Sequence, residues 1–130
     1  MTDQPAAALE TALAYHRAWT KGDFATAMTY VADDIVCLAP SGRLEGAEAF
    51  GAFMGPFAQI VTGSELLAAY GDQTTAVLVY DTETIPVSRA PGAECLSVVD
   101  GQITHLRIIF DRTPFEAARR ERASRGPDDQ

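Results

Sequence analysis

An α+β fold is predicted, and three observations predict it. Apolar residues recur at helical spacing through roughly the first 60 residues. After Gly63 they switch to runs of strand length rich in Val, Ile and Thr. The pairs Gly71-Asp72 and Asp100-Gly101 then mark turns between consecutive strands. Helices first and strands afterwards give three N-terminal helices packed on a curved, mostly antiparallel sheet.

The first helix starts near Pro5, which the first turn tolerates because its N–H would be unpaired anyway. Leu9, Ala12, Leu13, Tyr15 and Trp19 form its apolar stripe. Gly22 ends it and Asp23 caps a second helix that runs to about Val31, with Phe24, Ala27, Met28 and Val31 inward. Ala32-Asp33-Asp34 is expected to cap and turn. Ile35 to Ala39 reads as a short strand, and Pro40, Ser41 and Gly42 as a turn. After Gly46 comes a third helix carrying Phe50, Phe53, Met54 and Phe57, which Pro56 is expected to kink or end. Strands follow at about Ser64–Tyr70, Thr74–Thr84, Ala93–Val99 and Gln102–Phe110, with a loop from Pro86 to Gly92. From Pro114 the chain is at most a short helix, and the charged end is expected to fray.

A chain of 130 residues is one domain, read as residues 1–130, with a core over about 8–116 and a flexible tail over about 118–130. The formal charge is −8, from 18 acids against 10 Lys and Arg. That balance argues against a nucleic-acid partner and an anionic membrane surface, both of which need a positive footprint. No apolar run reaches 18 residues, so no membrane span is expected. Cys37 and Cys95 make neither a disulfide framework nor a metal motif. His16 and His105 have no third ligand near them, so no metal is expected, and no phosphate loop or nucleotide fingerprint implies a cofactor. With no basic segment followed by an apolar one at the start, the expected location is cytoplasmic.

The segment YHRAWTKGDFATAMTYVADDIVCLAPSGRLEG, with Gly22-Asp23 and Ala32-Asp33-Asp34, resembles the front half of the SnoaL-like branch of the nuclear transport factor 2-like superfamily. GQITHLRIIFDRTPF resembles its last strand. The resemblance implies a cone-shaped barrel with an apolar cavity for a small hydrophobic molecule, and a homodimer through the outer sheet face. It also implies several chemistries, which the residues must separate.

A ketosteroid isomerase site wants a carboxylate base and two donors for an enolate oxygen. By the resemblance Tyr15 and Glu94 fall at the donors, but Ala39 stands where the base belongs. An epoxide hydrolase site wants two acids and an Arg. Asp81 falls at the first acid, Val79 at the Arg and Ile108 at the second acid. Neither set is complete. A cyclase needs less, since one carboxylate can serve as acid and base while the cavity folds the substrate.

Asp81 is the leading acid or base. Val77, Val79 and Asp81 alternate onto one face, and the valines predict that this face is buried. An acid there has a raised pKa unless it is paired; read as a strand-end acid beside water, it needs no function. Glu83 is expected to face solvent. Glu94 is the second candidate, and one turn decides its face. A two-residue loop at Asp100-Gly101 pairs Val99 with Gln102 and sets Glu94 against Arg107 as an ion pair. A three-residue loop, Val99–Gly101, pairs Val98 with Gln102 and puts Glu94 inward with Leu96, Val98, Leu106, Ile108 and Phe110. The stronger apolar set favours the second. Val99, Ile103 and Ile109 then face outward and supply the dimer surface. Tyr15 is a candidate hydrogen-bond donor. Trp19, Leu38, Phe50, Phe53, Met54, Phe57, Val79, Leu96, Leu106, Ile108 and Phe110 are the expected pocket lining, though core packing explains the same residues. His16, about 100° round the helix from Tyr15, is expected at the surface.

Overall fold

The structure is a computed structural model that describes residues 6–85, 87, 89–111 and 113–125. The elements are α1 (Ala7–Thr20), α2 (Phe24–Met28), β1 (Val31–Ala39), β2 (Gly42–Glu45), α3 (Ala47–Ile60), β3 (Val61–Gly71), β4 (Thr75–Thr84), β5 (Ala90–Val99), β6 (Gln102–Phe110) and α4 (Thr113–Arg125). They form the expected α+β architecture. A curved six-stranded sheet in the order β2-β1-β6-β5-β4-β3 wraps one face around the helices as a cone. All pairings are antiparallel except β1 with β6. Among the described residues no helix is long and apolar enough to cross a membrane.

α1 buries Ala8, Ala12, Tyr15, His16 and Trp19, all on one helical face. Gly22 follows with φ +86, a conformation costly for a residue with a Cβ. The Asp23 carboxylate then accepts the Thr26 N–H at 3.2 Å and caps α2. α3 buries Phe50, Met54 and Ala58 one turn apart. Its Gly51 and Gly55 face α2, where Met28 and Phe24 lie 3.6 Å from the place a Cβ would occupy.

Several boundaries differ from the sequence expectation. α2 stops at Met28, because Val31 already pairs with Ile103 in a buried strand contact. Ala32-Asp33-Asp34 is therefore not a turn; it lies within β1, where the register to β6 slips between Val31 and Val36 and leaves both acids exposed. Pro56 sits inside α3 without ending it: position 56 is exposed, and α3 runs on to Ile60. β5 begins at Ala90, so the last part of the expected loop is strand. α4 continues to Arg125, well into the expected tail, since Ala, Arg and Glu favour helix without an apolar face. Residues 126–130 lie outside those described.

The β5–β6 turn is the two-residue form. Asp100 and Gly101 have φ 52 and 76, and Val99 pairs with Gln102. The register then slips by one residue, so that Ser97 pairs with His105 and Glu94 with Ile108. Glu94 faces inward, though not through the turn expected to put it there. Ile103 also turns inward and is fully buried, unlike its neighbours across the slip.

Candidate functional site

A cavity of about 330 Å³ lies between α3, α4 and the inner face of β4–β6. Phe53, Met54, Phe57, Ile60, Ile108, Phe110 and Phe115 make its apolar wall. Tyr80 and Glu94 line it from the sheet, while Pro40, Ser41, Glu116 and Arg119 complete the lining. Phe57, Phe110 and Phe115 hold one another edge to face or tilted, with ring centres 5.3 to 6.3 Å apart. This contact docks the start of α4 over the cavity.

Glu94 is the polar centre. It is 1% exposed, and one oxygen, Oε2, accepts the Tyr80 hydroxyl at 2.7 Å. The other, Oε1, has no partner among the described residues. Burial pushes the carboxyl up to about 7 against an ordinary 4.5, and the Tyr80 hydrogen bond opposes the rise only in part. Tyr80 itself is raised well above its ordinary range, by burial first and then by Glu94. It therefore stays protonated and donates. A neutral carboxyl can offer a proton from its free edge, and the ionised form can take one.

A second group of polar atoms lies behind the wall. The Tyr15 hydroxyl, His16 Nδ1 and Trp19 Nε1 are buried without partners among the described residues. Burial raises Tyr15, with Glu94 and Cys37 adding to it. His16 is buried, not at the surface as expected, with its ring centre 4.8 Å from Tyr80 and 5.2 Å from Trp19. Burial, then the charge of Arg17, lowers it to about 4, so it is neutral at ordinary pH. Its Nε2 stands 3.4 Å from Ser64 Oγ.

Asp81 is a correction. The buried row of β4 is Ala76, Leu78, Tyr80, Thr82 and Thr84, so Val77, Val79 and Asp81 face outward. Asp81 pairs with the Arg89 Nε at 3.1 Å; its side chain is 17% exposed and that of Arg89 70%. It lines a separate surface hollow with Glu65, Glu83 and Arg89, away from Glu94. Paired and outside the main cavity, it is not placed to act with Glu94. Val79 leaves the pocket lining for the same reason. Leu38 also leaves it, because it pairs with Arg43 and Arg107 on the outer face while neighbouring Cys37 is buried.

Of the other expected lining, Phe53, Met54, Phe57, Ile108 and Phe110 reach the wall. Trp19, Phe50, Leu96 and Leu106 are buried core behind it, with Trp19 ring-packed on Phe57 and Tyr80. Tyr15 is core too, next to Phe50, and its hydroxyl is not on the wall. Sequence reasoning missed Tyr80, although it sits in the same strand as Asp81. It also missed Phe115 and Arg119, four residues apart on a helix read as tail. Among the described residues no cluster of His, Cys, Asp and Glu could hold a metal ion.

Gly92 keeps this arrangement possible. A Cβ at Gly92 would stand 3.1 Å from Phe110 and 3.2 Å from the Tyr80 ring. Gly92→Ala is expected to lower stability by about 1–3 kcal/mol, the usual range for overpacking. Thermal unfolding measures that loss, and an unchanged midpoint would show that the Tyr80 ring moves aside freely.

Comparison with known proteins supports the fold. A family model described as a SnoaL-like domain matches residues 12–106. A crystal structure of a protein from Kribbella flavida is 66% identical, covers 89% of this chain and 96% of its own, and has a TM-score of 0.87. An NTF2-like protein of Cytophaga hutchinsonii is 19% identical over 89% of this chain and 99% of that one, TM-score 0.70. A candidate polyketide cyclase of Sinorhizobium meliloti is 20% identical over 77% and 94%, TM-score 0.67. The last two share the fold alone. No curated protein matches the chain.

Proposed function

The chain belongs to the SnoaL-like family, and from that premise we propose that its cavity binds a small, mostly apolar molecule on which Glu94 moves a proton. One observation carries this reading. A carboxyl held near pH 7 faces an apolar cavity with one oxygen fixed by Tyr80 and the other unpartnered. Proton transfer near neutrality needs such a group. The reaction class is cyclisation, isomerisation or dehydration of a small carbonyl compound. Tyr80 orients the carboxyl; Tyr15, buried beside Phe50 with its hydroxyl off the wall, takes no part in that step.

Two better-defined chemistries of the superfamily do not fit. Ala39 cannot serve as the isomerase base, and Val79 and Ile108 cannot supply the epoxide hydrolase Arg and second acid. The alternative is a non-catalytic ligand-binding or association domain. Exchange of α-protons in a panel of apolar ketones, followed by NMR in deuterated buffer, separates the two. The wild type should exchange one of them faster than Glu94→Gln does. Binding of the ketones without any Glu94-dependent exchange would favour the non-catalytic reading.

A homodimer through the outer sheet face belongs to the same proposal. Tyr70, Val77, Val99 and Ile109 are apolar and exposed there, Ile109 at 61%. Cys95 adds to that face between Val77 and Arg107. Light scattering at low micromolar concentration should give twice 13.9 kDa, and Ile109→Asp should halve it. A wild-type particle of 13.9 kDa would end the dimer reading. A cytoplasmic location is proposed with it; Cys37 and Cys95 are both free thiols.

A further inference from the structure

The cavity changes character along the wall. Tyr80 and Glu94 supply polar groups from the sheet, the aromatic belt of α3, β6 and α4 is apolar, and among the described residues Arg119 is the basic one in the lining. We infer that the cavity selects an amphipathic molecule carrying an anionic group, which Arg119 holds. The inference rests on the binding reading above and adds the ligand's charge class.

Helix geometry aims Arg119. Phe115 stands one turn earlier on the same face, and its ring packs on Phe57 and Phe110. That contact turns the face carrying Arg119 toward the cavity, where both residues line the wall. Arg120 and Arg122 belong to the same helix but not to the lining. Among the described residues the Arg119 side chain makes no ion pair or hydrogen bond, whereas those of Arg43 and Arg89 are both paired. Ser41 adds a hydroxyl donor from the β1–β2 turn.

Overall charge sharpens the point. At −8 the chain repels anions in general, so anion preference must come from a local cation. Glu116 also lines the cavity and weakens that pull. Glu94 does not oppose it below about pH 7, where its carboxyl is neutral.

Two dyes that differ by one sulfonate test the inference. 1-Anilinonaphthalene-8-sulfonate carries the charge and N-phenyl-1-naphthylamine lacks it. Fluorescence titration at pH 6 and low salt should show that Arg119→Gln weakens the sulfonate dye about fivefold, as for a partly exposed charge pair. The uncharged dye should change less than about twofold. Arg122→Gln makes the same change in net charge off the lining and should leave both dyes unaltered. Added salt should shrink the Arg119 effect. Equal losses in the Arg119 and Arg122 variants, or none, with the uncharged dye still bound, would overturn this inference alone. If neither dye binds the wild type, the binding reading fails and this inference with it.

Discussion

Glu94→Gln is expected to make the protein more stable above pH 7 and to change the shape of its stability curve. The folded carboxyl titrates at about 7 and the unfolded one near its ordinary 4.5. Below pH 4.5 both states hold the proton. Between 4.5 and 7 the unfolded chain releases it while the folded chain retains it, so stability falls as pH rises. Above 7 both have lost it and the curve is flat. The lost stability is about 3 kcal/mol, from the separation of the two values at 1.36 kcal/mol per pH unit. A glutamine has no proton to lose there. Its carbonyl still accepts the Tyr80 hydroxyl, and its buried NH₂ adds a penalty that does not vary with pH. The difference between variant and wild type should therefore climb by about 3 kcal/mol from pH 4 to pH 8. At this chain length that is roughly 10 °C in Tm. Urea unfolding across that range measures it, and all other titrating groups cancel in the difference. A difference that stays level would show that Glu94 is not held neutral by burial.

A stability gain on neutralising one buried acid is the mark of a residue kept for another purpose. Tyr15, Trp19 and Phe50 need no such account, since burial alone explains them. Glu94 is a buried acid with no cation paired to it among the described residues, and its place on the cavity is what the proton-transfer reading uses.

The order of elements was legible in the sequence because helix and strand periods differ and the switch at Gly63 is sharp. The facing of β4 was not. Both rows of that strand are apolar: Val77 and Val79 on one side, Leu78 and Tyr80 on the other. An outer face that is itself apolar removes the alternation that would have told them apart, and Asp81 was drawn in with the wrong row. Glu94 was read inward for a different reason. A two-residue turn plus one bulged residue near Thr104 has the same parity as a three-residue turn, so the apolar pattern gave the correct face through an incorrect loop. Ile103 shows the cost of that substitution: between turn and bulge the parity is reversed, and it points inward. The length of α4 was not legible, because helical propensity without an apolar stripe looks like tail; its aromatic contact with the rest of the fold is Phe115.

Tyr80→Phe should act on the same carboxyl with the opposite sign. The Tyr80 hydroxyl donates to Oε2 at 2.7 Å, and Oε1 is already without a partner. Removing the donor leaves both oxygens bare in a buried site. A hydrogen bond to a charged acceptor contributes about 1.5–3 kcal/mol, and one to a neutral acceptor about 0.5–1.5. The variant should therefore lose more stability at pH 8, where Glu94 is ionised, than at pH 5, where it is neutral. The same difference lifts the Glu94 titration above its wild-type position by about one pH unit. Carboxyl carbon shifts followed by NMR measure that directly. Any Glu94-dependent proton exchange should shift its pH profile upward in step, because a base must lose its proton before it can act. In the double variant Tyr80→Phe with Glu94→Gln, the extra loss at high pH should vanish, since the acceptor no longer changes charge. Such a cycle isolates the pair when neither change moves the ring from its place over Gly92. A Tyr80→Phe penalty equal at pH 5 and pH 8, with the Glu94 titration unmoved, would make Tyr80 a packing residue and leave Glu94 without its orienting partner.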